Sequence, residues 1–417
     1  MIKIKTLNSG VKVVTEQITH VQSVAIGIWV KAGAVNENKK NSGVSHFIEH
    51  MMFKGTENRS ARQIAEDIDK IGGQINAFTG KEATCYYVKS LASNFDKSAD
   101  VLVDMLTSSL FDKTEMDKER QVICEEIKMT LDSPDDLAHE TITEQVFKGN
   151  PLGKSIIGTP STLKGITRNV LTDYFKKEYV RDNIVISVAG NVDENYVYEY
   201  FENKFMNFEP TKPALNEPKE PYEKSFRVLV KDIEQSHICL ATRGVKLYGE
   251  QYYPLSVLNN IMGGSMSSRL FQNIREEKGL AYSVYSMASC FAEDGYYNIY
   301  AGVSHDKVRD AIEGIKEELT ILQAKGVTTE ELNASKEQLK ASYIFGQESV
   351  ASRMFAMGKQ MMLMGKFLTP EEVISSIDSV TMEDIKEAEK LICNVDNYSA
   401  VAVTNKKIPL KKIMEQN

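Results

Sequence analysis

An α+β fold of two homologous halves, each a mostly antiparallel sheet packed with helices, is what the sequence predicts, on three observations. First, a strand–strand–helix order occurs once before residue 207 and again after residue 226, which favours antiparallel sheets over a doubly wound parallel one. Second, Pro210, Pro213, Pro218 and Pro221 cluster among charged and small residues, which marks residues 208–225 as a linker between a first half, 1–207, and a second, 226–417. Third, Glu115-Met116-Asp117-Lys118-Glu119-Arg120 can be laid without a gap on Glu331-Leu332-Asn333-Ala334-Ser335-Lys336. On that register Glu119 faces Ser335 and Glu126 faces Ser342, so a duplicated scaffold keeps its carboxylates only in the first copy.

The elements follow in order. Val11–Val14 and Val24–Val30 are β-branched runs and read as strands, followed by helical patterning from Gly43 through Ile71. Strand signals return at Gln74–Phe78 and Thr84–Leu91. Helical periodicity covers 94–109, 114–131, 136–147, 161–179 and 193–206, with a strand at Asn183–Ala189. The second half repeats the order with strands at Phe226–Val230 and His237–Ala241, helix over 251–276, strands at Tyr282–Phe291 and Tyr296–Val303, and long helices over 305–325 and 328–365.

Composition bounds the function. A chain of 417 residues with 42% hydrophobic and 26% charged residues has ordinary globular composition and enough length for separate cores. Its 50 basic and 58 acidic residues give a formal charge of −8, which argues against nucleic acid as a partner and leans toward cationic peptides over polyanions. Five scattered cysteines without a CxxC pair point away from a disulfide framework and toward a reducing compartment. The N-terminus turns polar at Asn8-Ser9-Gly10, and the apolar run from Val24 to Val35 contains Lys31 and is too short for a bilayer. A cytoplasmic protein with no membrane span is the expectation.

Two of the six histidines stand four residues apart in His46-Phe47-Ile48-Glu49-His50, inside the segment that patterns as helix. That spacing puts both imidazoles on one helix face, where they can bind one metal ion with Glu49 beside them to reach a metal-bound water. The bland alternative is an exposed helix face carrying two surface histidines. A catalytic zinc needs a third protein ligand and an open position. At about 100° per residue, Glu119 and Glu126 fall about 20° apart on the next acidic helix, among Val122, Ile123 and Ile127, whereas Glu125 points about 120° away from Glu119. Carboxylates in an apolar stripe are costly unless paired or metal-bound, which makes Glu126 the third ligand and Glu119 a carboxylate that orients a ligand histidine. An ordinary ion pair is the alternative for Glu119.

The stretch Gly43-Val44-Ser45-His46-Phe47-Ile48-Glu49-His50-Met51-Met52-Phe53-Lys54-Gly55-Thr56, with Glu119-Arg120-Gln121-Val122-Ile123-Cys124-Glu125-Glu126, closely resembles the pitrilysin/insulysin family of inverted-motif zinc peptidases, in particular its short, processing-peptidase-like members. The resemblance implies a zinc metalloendopeptidase with one Zn²⁺ per chain on His46, His50 and Glu126, Glu49 as the proton acceptor and Glu119 as the additional acidic residue. It extends to Gly72-Gly73-Gln74-Ile75-Asn76-Ala77-Phe78-Thr79, where family members offer a sheet edge to an extended peptide, so that Asn76, Ala77 and Phe78 are implied substrate-binding residues. In Arg275-Glu276-Glu277-Lys278-Gly279-Leu280-Ala281-Tyr282 it matches the arginine-to-tyrosine spacing used to hold the substrate carbonyl, which gives Arg275 and Tyr282 a role toward the oxyanion. The short Met262-Gly263-Gly264-Ser265 and the intact metal motif set the chain apart from the inactive, glycine-loop partner subunits of such enzymes. A homodimer that encloses short or unfolded peptides is the implied assembly, and a catalytically silent scaffold or peptide-binding subunit is the competing expectation.

Overall fold

The first-half strands are β1 (Ile2–Thr6), β2 (Lys12–Gln17), β3 (Ser23–Val30), β4 (Gln74–Thr79), β5 (Thr84–Leu91) and β6 (Ile184–Gly190). In the computed structural model, which describes residues 2–210 and 221–416, they form one sheet in the order β1-β2-β6-β3-β5-β4. The second-half strands are β7 (Phe226–Val230), β8 (Ser236–Arg243), β9 (Ala281–Cys290), β10 (Gly295–Val303) and β11 (Ser399–Thr404), in the order β7-β11-β8-β10-β9. With β1 set aside, the two sheets have the same topology. A parallel pair, β2 with β6 or β7 with β11, is followed by three antiparallel pairs ending at β4 or β9. The expected α+β duplication is therefore present at the level of strand order and sense. Of the expected linker 208–225, residues 211–220 lie outside the described residues.

Compactness follows the sheets and not the chain order. One unit comprises the described residues of Met1–Lys128, Lys154–Pro218 and Phe345–Leu368, and the other those of Met129–Gly153, Lys219–Ile344 and Thr369–Asn417. Each half thus lends a helix to the other half's sheet: Val350–Met364 packs on β3 and β6, and Pro134–Val146 packs on β8 and β11. A sheet with two apolar faces needs cover on both, which explains the unbroken apolar run of β3. Val24, Ile26, Ile28 and Val30 enter the main core with the helices Val44–Met52 and Phe95–Ser108, while Ala25 and Trp29 enter a second core with Met354, Met357 and Met361.

Several expected helices are interrupted. The span Gly43–Ile71 divides into Val44–Met52 and Ala61–Asp69, because Gly55 adopts φ 113° and Ser60 caps a fresh helix by accepting the Gln63 N–H. Residues 251–276 divide into Tyr252–Gly263 and a π-helical segment, Phe271–Glu277, and residues 328–365 into Thr329–Gln347 and Val350–Met364, with Ser349 capping the latter. Strands β1 and β11 and the helices Pro370–Asp378, Met382–Ile392 and Leu410–Glu415 add to the expected elements.

The lent helix of the first unit lies close on its sheet. A Cβ at Gly358 would meet the Trp29 indole nitrogen at 1.9 Å, and that nitrogen already donates to Ser187 Oγ at 3.0 Å. Gly358→Ala forces the helix off β3, and we expect it to destabilise this unit by about 1–3 kcal/mol, measured as a lower urea midpoint.

Candidate metal centre

The helix Val44–Met52 begins at Gly43, whose φ of 93° and close approach to the Ile157 carbonyl exclude a side chain. No side chain at its own N-cap serves the unpaired N–H groups. The buried Glu37 carboxylate does so from outside, accepting the Gly43 N–H at 2.7 Å and the Ser45 N–H at 2.9 Å. Burial pushes its carboxyl up to about 7, against the pull of those same donors. Val44, Phe47, Ile48, Met51 and Met52 anchor the helix in the core, which leaves His46, Glu49 and His50 along one flank.

The helix Lys113–Asp132 supplies the acids, and here the expectation needs correction. Met116, Glu119, Ile123 and Ile127 are its buried residues, whereas Val122 is 50% exposed and Glu126 is half-exposed. The apolar stripe is narrower than expected, with Val122 and Glu126 on its solvent rim, so burial cost constrains Glu119 and not Glu126.

The structure brings the three expected metal ligands together. His46 Nε2 and His50 Nε2 each lie 3.6 Å from the same Glu126 oxygen, Oε2, and the two rings stand edge to face at 4.6 Å. A tetrahedral ion with ligands at about 2.05 Å separates them by about 3.4 Å, so each imidazole nitrogen stands from the carboxylate oxygen at about the spacing of two ligands of one ion, and all three ligand atoms lie within 4.8 Å of one another. Two imidazoles and one carboxylate form a borderline donor set suited to zinc, with the fourth position left for water or substrate. Among the described residues this is the one group of three or more potential ligands with that spacing.

Glu119 sets the orientation of His50. Its Oε2 accepts from His50 Nδ1 at 3.1 Å while Oε1 takes the Lys54 ammonium at 2.7 Å. A carboxylate paired with lysine can only accept, so His50 carries its proton on Nδ1 and turns Nε2, lone pair outward, to the shared position. The ion-pair alternative for Glu119 and the orienting role are thus both realised in one side chain. His46 has no such support, and its buried Nδ1 has no partner among the described residues. Burial depresses the His46 imidazole to about 4, aided by His50 and opposed by Glu126, so it is neutral and able to ligate near pH 7. Burial works against the charged form of His50 as well, yet its contacts with Glu126 and Glu119 lift it above its ordinary value, and the His50 contact holds Glu126 below the usual carboxylate range. Burial raises Glu49, and the Thr79 hydroxyl, donating to its Oε2, opposes that rise.

The remaining expected residues fall in two places. Asn76, Ala77 and Phe78 lie on β4, the edge of the first sheet, in register with Tyr87, Tyr86 and Cys85 of β5. The Ala77 N–H donates to Asn76 Oδ1 at 2.8 Å, and Phe78, 40% exposed, stands edge-on to Trp29. Arg275 and Tyr282 belong to the other compact unit, where the guanidinium lies 5.7 Å from the centre of the 76%-exposed phenol ring. Sequence reasoning overlooked Glu37, Lys54 and Thr79. Thr79 was signalled only by its place at the end of the edge-strand motif, and Glu37 by nothing local.

The second half has the same two-helix contact without the donors. Asn260 Nδ2, on Tyr252–Gly263, donates to Ser335 Oγ at 3.1 Å, which corresponds to the contact of His50 with Glu119, and Ser286 of β9 donates to Asn259 as Thr79 of β4 does to Glu49. Ser342, expected opposite Glu126, is exposed.

The family profile described as Insulinase (Peptidase family M16) matches residues 12–160, and the profile described as Peptidase M16 inactive domain matches residues 165–339. A protein of Bacillus subtilis named uncharacterized zinc protease YmxG is 41% identical over 98% of this chain and 100% of its own length. The chain belongs to the M16 peptidase family. An uncharacterized zinc protease of Rickettsia felis is 38% identical over 96% of this M16 chain and 97% of its own. Crystal structures of a protease from Helicobacter pylori (TM-score 0.91, 21% identity, 97% of this chain and 99% of that one) and of a peptidase M16 inactive domain from Pseudomonas fluorescens (TM-score 0.89, 19% identity, 98% and 100%) share the fold. Among the described residues no helix is long and apolar enough to cross a membrane.

Because Glu119 holds His50 by its Nδ1, Glu119→Ala is expected to weaken metal binding by about 10- to 100-fold while His46, His50 and Glu126 remain in place. Competition against a chromophoric chelator measures this directly.

Proposed function

We propose that this chain is a zinc-dependent metalloendopeptidase that hydrolyses short or unfolded peptides, with one zinc ion per chain on His46, His50 and Glu126. The observation that carries the reading is the convergence of two imidazole nitrogens on a single carboxylate oxygen with Glu49 alongside. A zinc ion bound there would polarise the scissile carbonyl and acidify a water. Glu49, next to His50 in the chain and half-buried, accepts a proton from the attacking water and returns it to the leaving amine. Burial raises its pKa, which suits a group that must both take and give a proton near neutrality. Glu119 and Lys54 keep His50 in the tautomer that presents Nε2.

The open edge of β4 suits an extended peptide, which adds as a further strand through backbone bonds at Asn76, Ala77 and Phe78 and so tolerates many side chains. The net charge of −8 favours basic peptides. By resemblance to the short members of the family, the enzyme works as a homodimer enclosing a chamber, and Arg275 and Tyr282 stabilise the oxyanion at the partner's zinc. The guanidinium lies 5.7 Å from the centre of the phenol ring, so the two hydrogen-bond donors that such a role needs are close together.

The decisive experiment pairs metal analysis with cleavage of a quenched fluorescent basic peptide. Near-stoichiometric zinc, chelator-sensitive cleavage, and a Glu49→Gln protein that retains zinc but loses turnover by at least about 100-fold are the expected results. Zinc without cleavage of any peptide in a varied library would instead support a silent scaffold or a peptide-binding subunit. In the dimer, mixing Glu49→Gln with Arg275→Ala subunits is expected to restore partial activity; no recovery despite demonstrated subunit exchange would refute action across the interface.

A further inference from the structure

Thr79 is the last residue of β4 and is paired with Thr84 in the final rung of the β4–β5 ladder. Side chains along β4 alternate, with Gln74, Asn76 and Phe78 exposed and Ile75, Ala77 and Thr79 turned inward, on the side of the strand that packs against the helix Val44–Met52. On that inner face the Thr79 hydroxyl donates to Glu49 Oε2. A hydroxyl has one proton to give, and a carboxylate is the strongest acceptor within its reach. Behind it, the fully buried Thr84 hydroxyl lies 3.5 Å away and is itself bound to the Ala32 carbonyl at 2.9 Å, which backs the Thr79 side chain against fixed structure. A β-branched residue in a ladder has little χ1 freedom, so the hydroxyl is a rigid donor, whereas Glu49 has three side-chain torsions to restrain.

We propose that Thr79 is a positioning residue for the reaction: it holds Glu49 by Oε2 and leaves Oε1 as the oxygen that takes and returns the proton. Because Thr79 closes the strand to which the peptide adds, the element that receives the substrate backbone also aims the base. A peptide seated on β4 thereby meets a Glu49 whose direction is set from the same strand. This deepens the peptidase reading and rests on it.

The test uses the full-length, zinc-loaded protein with Thr79→Val and Thr79→Ser. If the proposal holds, Thr79→Val keeps its zinc, its melting temperature and its KM while kcat falls by about 10- to 100-fold, and Thr79→Ser recovers most of that loss. Adding Thr79→Val to Glu49→Gln brings no further loss, because the two act as one unit. A crystal structure of Thr79→Val is expected to show the Glu49 carboxylate displaced. Wild-type kcat in Thr79→Val, or an equal loss in the valine and serine variants, would overturn the proposal while an inactive Glu49→Gln leaves the peptidase reading standing. If the wild-type protein itself shows no metal-dependent cleavage, the peptidase reading fails first, and an unmoved Glu49 in the Thr79→Val crystal then removes the positioning claim as well.

Discussion

The contact between Glu119 and His50 is the constraint on which the site depends. It places a carboxylate inside an otherwise apolar helix–helix junction, where Met116, Ile123 and Ile127 supply the packing and an unpaired charge would be costly. Lys54 neutralises that charge on one oxygen and His50 occupies the other, so one arrangement satisfies all three groups. The consequence is chemical as well as structural. The proton is held on Nδ1, Nε2 faces outward, and Glu126, about two helical turns further along, completes the donor set.

Around that junction the molecule builds rigidity from several sides. Glu37 caps the histidine helix from a loop, Gly43 allows the helix to start against the Ile157 carbonyl, and Thr79 holds Glu49 from the edge strand. The metal-site residues lie on helices whose other faces are locked into one core, which is how a site keeps its geometry to a fraction of an ångström. The second half keeps the corresponding helix contact with Asn260 and Ser335, neutral groups that satisfy one another. Duplication thus preserved the packing solution, and the chemistry resides in the substitution of a few polar side chains.

The exchange of helices between halves explains how each sheet is covered on its far face. Val350–Met364 covers the far face of the first sheet through a methionine-rich surface, and Met354 fits against Gly27, where any side chain would collide with its sulfur. The far face of the second sheet is covered differently, by His139 stacked on Tyr285 and Tyr300. A helix assigned by sequence to one half therefore belongs, by contacts, to the other.

Much of the fold was legible locally: the strands Thr84–Leu91 and Phe226–Val230 carry their own β-branched pattern, and most helices their own period. The spacing of His46, Glu49 and His50 was legible because four residues on a helix is a distance. Glu126 could be chosen over Glu125 for the same reason, although the burial of Val122 was misjudged, since a wheel gives direction but not the width of the neighbour that covers it. The breaks near Gly55 and Gly264 were missed because helical period continues across them. Strand β11 lies in the middle of its sheet, yet the residues that neighbour it there, in β7 and β8, are more than 150 positions earlier. What the sequence by itself determined is everything set by neighbours along one helix or strand: the duplicated element order, the shared histidine face and the edge motif. Tertiary structure alone decided which oxygen of Glu119 meets His50, that Lys54 shares it, that Thr79 holds Glu49 and which sheet each lent helix covers. Those contacts join residues dozens to hundreds of positions apart, and only packing of the folded chain brings them within bonding distance.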